Sequence, residues 1–334
     1  MKIIYITTDD PKSQGDYQEN VLLTGLRSIL RDDLIDYPRK KTMYGDFSDS
    51  PKNEIHGWGF TMFSKPIPDI TQEEREKVLP PMFWGIFESG QLGVLLKEPQ
   101  EVDFVIYGVT DAYGVPDYPE INKLAKYGVV YIDGHDHMNI TKTPCFKREW
   151  CEEYVNGKDN VWRTGFGVPE HLIRPLDIER KKQMIQNTVP PYALFSQQVL
   201  GIDARRLYKY DDEEDYYDDM ASSFFGLTCM KGGWDSMRHY EIMAAGAVLL
   251  FRDYNQKPAG CSPDGIPALS YSTKTELQSI IDTLVIDGKP TPKYFKIFEQ
   301  QRKWLLENGT CKARAHKVLG KLNKYKEKID ARRG

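Results

Sequence analysis

The stretch "FFGLTCMKGGWDSMRHYEIMAAGAVLLF" (224–251) decides how this chain folds. It begins with an apolar, β-prone run, passes through Lys231-Gly232-Gly233, and continues with helical spacing as far as Gly246. It closes on a second apolar run, "AVLLF" (247–251). This order predicts a strand, a glycine loop, a helix and another strand, which is the repeating unit of a parallel α/β sheet.

The loop and the start of the helix together predict an anion site. Two glycines let the backbone approach a ligand closely, and Asp235 or Ser236 can cap the helix that follows. The unpaired amides at a helix N-terminus and the positive end of its dipole attract a phosphate. Lys231 and Arg238 add full positive charges, so we expect a phosphate or diphosphate here.

Glu241 follows Arg238 by three residues on the same face of the predicted helix. One interpretation is an ion pair within the helix. The other is that the carboxylate accepts two hydrogen bonds from the vicinal hydroxyls of a ribose. The chain lacks GxxxxGK[ST] and has no GxGxxG after its first strand, which argues against kinase-type and dehydrogenase-type sites.

Strands and helices alternate along the rest of the chain, which predicts parallel sheets. Strands are predicted at 2–7, 102–109, 129–134 and 192–198, and helices at 20–30, 121–128, 274–285 and from 293 onward. The Gly- and Pro-rich segment 163–175 predicts a hinge or a domain edge, and as a hinge it would let the two domains close when a donor binds. We therefore expect domains at 1–165 and 166–310, followed by a basic C-terminal helix at 311–334.

Composition narrows the class of protein. The 334 residues are 40% hydrophobic and 28% charged, as in soluble globular proteins, and the net charge of -4 excludes a surface that is basic throughout. Five cysteines without a CxxC pair argue against a zinc site and favour reduced thiols. The apolar run in "MKIIYITTDD" (1–10) is too short for a signal peptide, and no stretch approaches the roughly 20 apolar residues of a membrane span. We therefore expect a cytoplasmic protein with no membrane partner.

Two charged segments each allow two interpretations. The acidic run "DDEEDYYDD" (211–219) suggests either a metal site or a solvated helix face or loop, and we favour the second. The basic segment 311–334 is either an exposed helix with a frayed end or a contact for an anionic polymer.

The central stretch resembles the donor-binding motif of GT-B glycosyltransferases, closest to the group-1 and spore-maturation-protein-like branch. Members of that branch carry the pattern G-[WF]-D-[ST]-x-R-x-x-E-x-x-A-x-G-A. The positions that fit are Gly233, Trp234, Asp235, Ser236, Arg238, Glu241, Ala244, Gly246 and Ala247. The segments "YIDGHDH…CFKREW" (131–150) and "WLLENGTCKARAHKVL" (304–319) are similar to the same branch. His135 stands where that branch has an acid.

The resemblance implies a fold, a ligand and a set of residues that bind it. The fold would be α/β, with two Rossmann-like doubly wound domains facing a cleft and a C-terminal helix crossing back to the first domain. Glu241 would hold the donor ribose, while Lys231, Gly232, Gly233 and Arg238 would hold the diphosphate. Loop amides and basic side chains would replace a metal, so we expect a nucleotide-sugar co-substrate, no cofactor and no metal.

The catalytic base is expected on the loop "DGHDH" (133–137), which follows a predicted strand. Asp136 is the first candidate and His135 the second, because a carboxylate or an imidazole can take the proton of an acceptor hydroxyl. A turn stabilised by Asp133 is the structural alternative, and the His-x-His pair lacks the further ligands that a metal requires.

Several other polar residues are candidates for binding the acceptor. Asp9 and Asp10 follow the first strand, and they either face the acceptor or cap a turn. His137, Lys147 and Arg148 belong to the base loop or follow it, and the last two form either an ion-pair bracket or a contact for an anionic acceptor.

The resemblance indicates a glycosyltransferase, with a UDP-sugar favoured as donor. The acceptor stays open between a hydroxymethylated pyrimidine in phage DNA, slightly favoured, and a surface glycan. DNA is favoured because the basic tail and Arg39-Lys40-Lys41 can hold phosphates. Two alternatives from other classes are a non-catalytic nucleotide- or glycan-binding module and a nucleotide-sugar epimerase or hydrolase. The motif itself does not separate these alternatives.

Overall fold

The structure, a computed structural model, describes residues 1–7, 17–37, 101–108, 118–187, 210 and 212–334. The chain divides into two compact units. The first contains Met1–Thr164 and Cys311–Gly334, and the second contains Gly165–Thr310. The strand predicted at 192–198, Asp9, Asp10 and Arg39-Lys40-Lys41 lie outside the described residues.

The first unit is built on a parallel sheet. Within the described residues its strands are β1 (Ile3–Ile6), β2 (Leu34–Tyr37), β3 (Phe104–Tyr107), β4 (Val129–Asp133), β5 (Cys145–Lys147) and β6 (Val161–Arg163). Their order is β2-β1-β3-β4-β5-β6, and each neighbouring pair is parallel. The residues of β1 and β3 are all buried, which explains why both strands are apolar throughout rather than alternating.

Among its described residues, the helices of the first unit are α1 (Tyr17–Leu30), α2 (Pro119–Asn122), α3 (Glu152–Val155) and α8 (Cys311–Arg333), with a 3-10 turn at Arg31–Asp33. The start of α8 lies directly against α1 at Gly25. A Cβ at Gly25 would stand 2.0 Å from the carbonyl oxygen of Cys311, so only glycine permits this approach. Farther along α8, Lys326 donates to the carboxylate of Asp103 at 2.8 Å.

The second unit carries a second parallel sheet. Its strands are β7 (Gln183–Ile185), β8 (Ser223–Thr228), β9 (Val248–Arg252) and β10 (Leu269–Tyr271), in the order β10-β9-β8-β7. A small antiparallel hairpin joins β11 (Val285–Ile286) to β12 (Lys289–Pro290). The central strand β8 is buried along its whole length, as its apolar sequence predicts.

In the part of the second unit that the structure describes, the helices are α4 (Glu213–Ala221), α5 (Met237–Ala244), α6 (Lys274–Leu284) and α7 (Pro292–Asn308), with 3-10 turns at Glu170–Leu172 and Tyr254–Gln256. Helix α5 packs closely on β8 at Gly226. A Cβ at Gly226 would stand 2.3 Å from Cγ2 of Ile242, so a larger residue would not fit there. Helix α6 begins with a capping box between Thr273 and Glu276, and the predicted amphipathic helix at 274–285 is confirmed.

The helix predicted at 121–128 is wrong over most of its length, because α2 ends at Asn122. The backbone that follows pairs with the approach to β3 instead. The amide of Val102 donates to Leu124 and the amide of Lys126 donates back to Val102. These tertiary hydrogen bonds replace the helical ones. Gly128, with φ of 98°, then turns the chain into β4.

Among the described residues, no helix combines the length and the apolar character needed to span a membrane. The five cysteines are buried free thiols.

Candidate functional site

The glycine loop occupies the carboxyl end of β8, between Thr228 and the first residue of α5. Lys231 and Gly232 are exposed, and Gly233 is buried. The amide of Lys231 donates to the carbonyl of Gly233 at 3.0 Å, which makes the loop a tight turn. Ser236 occupies the N-cap position of α5, and its side chain makes no capping hydrogen bond. The strand, loop and helix order predicted from the sequence is confirmed.

Asp235 does not cap α5, contrary to one of the two capping predictions. Its side chain is 3% exposed, and the N-cap position of α5 belongs to Ser236. One carboxylate oxygen accepts a hydrogen bond from the amide of Phe166 at 2.8 Å, and the other accepts one from the hydroxyl of Tyr240 at 2.7 Å. Asp235 therefore anchors the glycine loop to the backbone near residue 166 and to α5.

His239 supports the same loop from the buried side of α5. Its Nε2 lies 2.9 Å from the carbonyl oxygen of Trp234, and its Nδ1 lies 3.0 Å from the hydroxyl of Thr228. A carbonyl can only accept, so Nε2 carries the proton, and Nδ1 of the neutral ring accepts from Thr228. Complete burial lowers the pKa of His239 to about 4, which keeps the ring neutral.

Glu241 lies on α5 with its carboxylate almost buried, at 6% exposure. Its Oε2 accepts a hydrogen bond of 2.5 Å from the hydroxyl of Tyr216 on α4. The guanidinium carbon of Arg238 lies 5.7 Å from the centre of the same tyrosine ring. Sequence reasoning missed Tyr216, because no motif or periodicity distinguishes it within the acidic run.

The acidic run forms helix α4, as the interpretation of a solvated helix face predicts. Asp212 caps the helix by accepting from the amide of Glu214 at 2.7 Å. Arg174 bridges the exposed face, with ion pairs of 2.7 Å to Glu214 and 2.5 Å to Asp218. The opposite face of α4 is buried, and Tyr216 lies on it.

Lys181 joins the far ends of these elements. Its ammonium donates to the carbonyls of Ala221 at 2.9 Å, Ser223 at 2.6 Å and Gly246 at 2.8 Å. These carbonyls mark the end of α4, the start of β8 and the turn after α5, so Lys181 holds the three elements in place.

The turn after α5 adopts a Schellman motif around Gly246. The amide of Ala247 donates to Ile242 at 3.1 Å and that of Gly246 donates to Met243 at 3.3 Å, with Gly246 at φ of 88°. The predicted stop of this helix at Gly246 is thereby confirmed.

A separate polar cluster follows β4 and β5 in the first unit. Lys147 is fully buried and donates to Oδ1 of Asp133 at 2.7 Å, and Asp133 is itself 1% exposed. Burial lowers the pKa of Lys147, while its bond to Asp133 opposes that change. The amide of His135 donates to the same oxygen of Asp133 at 3.2 Å, which forms the turn that the structural alternative predicts.

Arg148 holds Asp136, the first candidate for the base. Its guanidinium pairs with the carboxylates of Asp136 and Glu149, and its Nε donates to the carbonyl of Gly134 at 2.8 Å. Arg148 is 2% exposed, whereas Asp136 is 59% exposed. The candidate base is therefore tethered by a buried cation and remains open to solvent.

The second candidate, His135, stacks on His137. The two ring centroids lie 4.8 Å apart with planes inclined by 13°. Burial lowers the pKa of His135, which favours the neutral imidazole that can accept a proton. Within the described ranges, no three His, Cys, Asp or Glu side chains are grouped so that they could hold a metal ion.

The structure therefore brings the predicted site residues together in two groups. Lys231, Gly232, Gly233, Arg238 and Glu241 gather at the carboxyl end of β8 and on α5. His135, Asp136, His137, Lys147 and Arg148 gather at the carboxyl ends of β4 and β5, although Lys147 pairs with the buried Asp133. The catalytic, donor and acceptor roles of these residues stay predictions.

Neither a protein-family model nor a curated protein sequence matches this chain. Solved structures do match it over nearly its whole length. One is an alpha-glucosyltransferase in complex with UDP, with a TM-score of 0.52, 11% identity, and coverage of 97% of this chain and 100% of that one. A second is a glycosyltransferase from Rickettsia africae ESF-5, with a TM-score of 0.53, 9% identity, and coverage of 97% of this chain and 98% of that one. A third is sucrose-phosphate synthase from Thermosynechococcus elongatus, with a TM-score of 0.51, 10% identity, and coverage of 99% of this chain and 100% of that one.

At these identities the comparisons establish the fold. The chain is α/β with parallel sheets of Rossmann-like type, matching GT-B glycosyltransferase structures, and the predicted fold class is confirmed. Such sheets bind ligands beyond the carboxyl ends of their strands, which is where both groups of candidate residues lie.

Proposed function

We propose that this protein is a glycosyltransferase that moves a sugar from a nucleoside diphosphate donor to a hydroxyl acceptor. The observation that carries the proposal is the burial and position of the Glu241 carboxylate. Glu241 is a nearly buried carboxylate on a helix that follows the glycine loop at the end of a parallel strand, and Lys231 and Gly232 of that loop are exposed. A buried carboxylate beside a predicted anion site suits a ligand that carries both hydroxyls and phosphates. The fold, shared with solved glycosyltransferases, supports the same conclusion.

In the proposed donor complex, Glu241 accepts hydrogen bonds from the ribose hydroxyls. Lys231, Arg238 and the amides of the glycine loop contact the diphosphate. These groups stabilise the charge that develops on the diphosphate as the bond to the sugar breaks. The proposal assigns this stabilisation to protein groups and needs no metal. UDP is the favoured nucleotide, since one of the matching structures is a complex with UDP.

In the proposed transfer step, Asp136 or His135 takes the proton of the acceptor hydroxyl. Asp136 is exposed and oriented by Arg148, and a group placed in this way can act as a general base. His135 is the alternative, because its lowered pKa leaves it neutral and able to accept a proton near pH 7.

The test is UDP binding measured by isothermal titration calorimetry, with and without Mg²⁺. Wild type should bind without metal, and Glu241→Ala should weaken binding roughly 10- to 150-fold, because a lost hydrogen bond to a charged group is worth about 1.5–3 kcal/mol. Glu299→Ala, which removes an exposed carboxylate from α7, is the matched control and should bind like wild type. If none of UDP, GDP and ADP binds to wild type, the proposal is overturned.

The catalytic assignment needs a separate experiment. Asp136→Asn should bind UDP with wild-type affinity and lose transfer. If transfer survives in Asp136→Asn and is lost in His135→Gln, the base is His135. A protein that binds UDP-sugar but never transfers or hydrolyses it is a binding module.

For the acceptor, we propose hydroxymethylated pyrimidine in duplex DNA. The supporting observation is a stripe of exposed cations on α8, formed by Lys321, Lys324, Lys328 and Arg332. Their spacings of three and four residues place them on one helix face. Within the described residues, none of these four forms an ion pair. Such a stripe is complementary to a line of phosphates.

The acceptor test combines binding with turnover. Duplex DNA should bind with an affinity that falls as salt rises, and Lys321→Glu with Lys324→Glu should abolish most of that binding. UDP release from UDP-glucose should then increase with hydroxymethylated DNA and stay at background with unmodified DNA. Release that responds to a surface polysaccharide instead would replace DNA with a glycan acceptor.

A further inference from the structure

Tyr216 contacts two of the residues assigned to the nucleotide. It lies on the buried face of α4 at 7% exposure. Its hydroxyl donates to Oε2 of Glu241 at 2.5 Å, and its ring lies 5.7 Å from the guanidinium carbon of Arg238. A single side chain from a different helix therefore touches both the predicted ribose carboxylate and a predicted diphosphate cation.

We propose that Tyr216 is a positioning residue that orients Glu241 for ribose and Arg238 for diphosphate. The proposal rests on the function proposed above. It adds a residue outside the strand, loop and helix stretch, and it assigns a role to the acidic helix that carries this residue.

The hydrogen bond from Tyr216 holds one oxygen of the Glu241 carboxylate. An ionised carboxylate has about four lone-pair positions, and the hydroxyl of Tyr216 uses one of them. Accepting one hydrogen bond from Tyr216 is therefore compatible, for a carboxylate, with accepting two more from the hydroxyls of a ribose. Because the bond holds the carboxylate in one rotamer, less conformational entropy is lost when the nucleotide binds.

The ring of Tyr216 acts on Arg238 by a different interaction. A guanidinium within about 6 Å of an aromatic ring centre is attracted to the ring face. The attraction favours the side-chain rotamers of Arg238 that keep it on the α4 side of α5. The hydroxyl and the ring therefore serve two different parts of one ligand, and substitutions can separate them.

The acidic run explains how Tyr216 is held in this place. Arg174 pairs with Glu214 and Asp218 on the exposed face of α4. Lys181 holds the carbonyl of Ala221 at the last residue of the helix. These contacts limit sliding or rotation of α4, which would move the Tyr216 hydroxyl out of reach of Glu241.

The experiment measures how tightly three ligands bind to wild type and to two variants substituted at Tyr216. Tyr216→Phe keeps the ring and removes the hydroxyl, and Tyr216→Leu removes both. Dissociation constants are measured by calorimetry for UDP, 2′-deoxy-UDP and inorganic pyrophosphate. The ratio of the 2′-deoxy-UDP constant to the UDP constant reports ribose recognition, while pyrophosphate reports the diphosphate contacts alone.

Tyr216→Phe should weaken UDP binding roughly 10-fold, the low end expected for a hydrogen bond to a charged group. Its ratio of the two nucleotide constants should fall towards the value for Glu241→Gln, with pyrophosphate binding unchanged. Tyr216→Leu should in addition weaken pyrophosphate. In the Glu241→Gln background, Tyr216→Phe should add little, because the two residues act through one contact.

Tyr294→Phe is the matched control, because it also deletes a buried tyrosine hydroxyl in the second unit. That hydroxyl donates to the carbonyl of Phe224 at 3.0 Å. The control should lose stability and keep the nucleotide ratio of wild type. If the role of Tyr216 is purely structural, Tyr216→Phe should likewise lose stability and keep the nucleotide ratio of wild type. That result would overturn the positioning role. The proposed function would still stand if wild type binds UDP. If wild type binds none of UDP, GDP and ADP, the proposed function itself fails and the role of Tyr216 fails with it.

Discussion

The carboxylate of Asp235 accepts a 2.8 Å hydrogen bond from the backbone amide of Phe166, although the two lie 69 residues apart in sequence. Asp235 follows the glycine loop by two residues, and Phe166 is the second residue of the second unit. The loop that we assign to the diphosphate is therefore fixed to a distant part of the chain. Preorganisation of this kind favours binding, since the loop is not ordered at the expense of the ligand.

Asp235→Ala should destabilise the protein more than Tyr240→Phe does. The first change leaves two buried donors, the Phe166 amide and the Tyr240 hydroxyl, without their acceptor, at about 1–3 kcal/mol each. The second leaves one oxygen of the carboxylate without its donor. Urea unfolding gives both free energies of unfolding, and equal losses in the two variants would contradict the double anchor.

Stability should fall in acid because of His239. Its pKa is about 4 in the folded protein and 6.5 as the reference value, so between these pH values the unfolded chain binds the proton and the folded chain does not. The contribution is complete above pH 6.5 and is lost as pH falls towards 4. Between pH 7 and pH 5 this amounts to about 2 kcal/mol.

The measurement is urea unfolding at pH 7 and pH 5 for wild type and His239→Gln. The variant should be less sensitive to pH, because glutamine does not titrate. His316→Gln, an exposed histidine on α8, should keep the pH dependence of wild type. A His239→Gln protein with an unchanged pH dependence would show that other groups cause it.

Lys147→Met should be strongly destabilising, because it leaves the carboxylate of Asp133 buried and without its cation. Removing one member of a buried ion pair costs about 3–5 kcal/mol. Adding Asp133→Asn to Lys147→Met should restore part of the loss, since the unpaired buried charge of Asp133 is then removed. Thermal unfolding of the single and double variants tests this, and a double variant less stable than Lys147→Met would contradict it.

Two glycine-to-alanine substitutions should change the stability of the protein in opposite directions. Gly246→Ala should lower stability by about 1–2 kcal/mol, because Gly246 has a φ of 88° that an L-residue adopts with strain. Gly320→Ala should raise stability by about 0.5–1 kcal/mol, because Gly320 lies inside α8 and a Cβ there meets no atom within 4 Å. Melting temperatures measured by calorimetry should move down and up respectively, and a shared direction would contradict this account.

Local pattern was enough to predict the elements around the glycine loop. An apolar run, two glycines, helical spacing and a terminal glycine are short-range signals, and β8, α5 and β9 follow them. The same kind of reasoning was wrong at 121–128, where Leu124 and Lys126 pair with Val102 rather than continuing α2. Helical propensity is weak enough for tertiary hydrogen bonds to override it.

The sequence alone determined the fold class, the place of the glycine loop and the acidic and basic character of two helices, because these depend on residue type and spacing within short segments. The tertiary structure decided which partners the polar side chains take. It directs Asp235 to Phe166 rather than to the helix start, buries Lys147 against Asp133, and brings Tyr216 to Glu241 across 25 residues. Spacing along one chain does not specify these contacts, since each requires two elements to pack with a particular register and rotation.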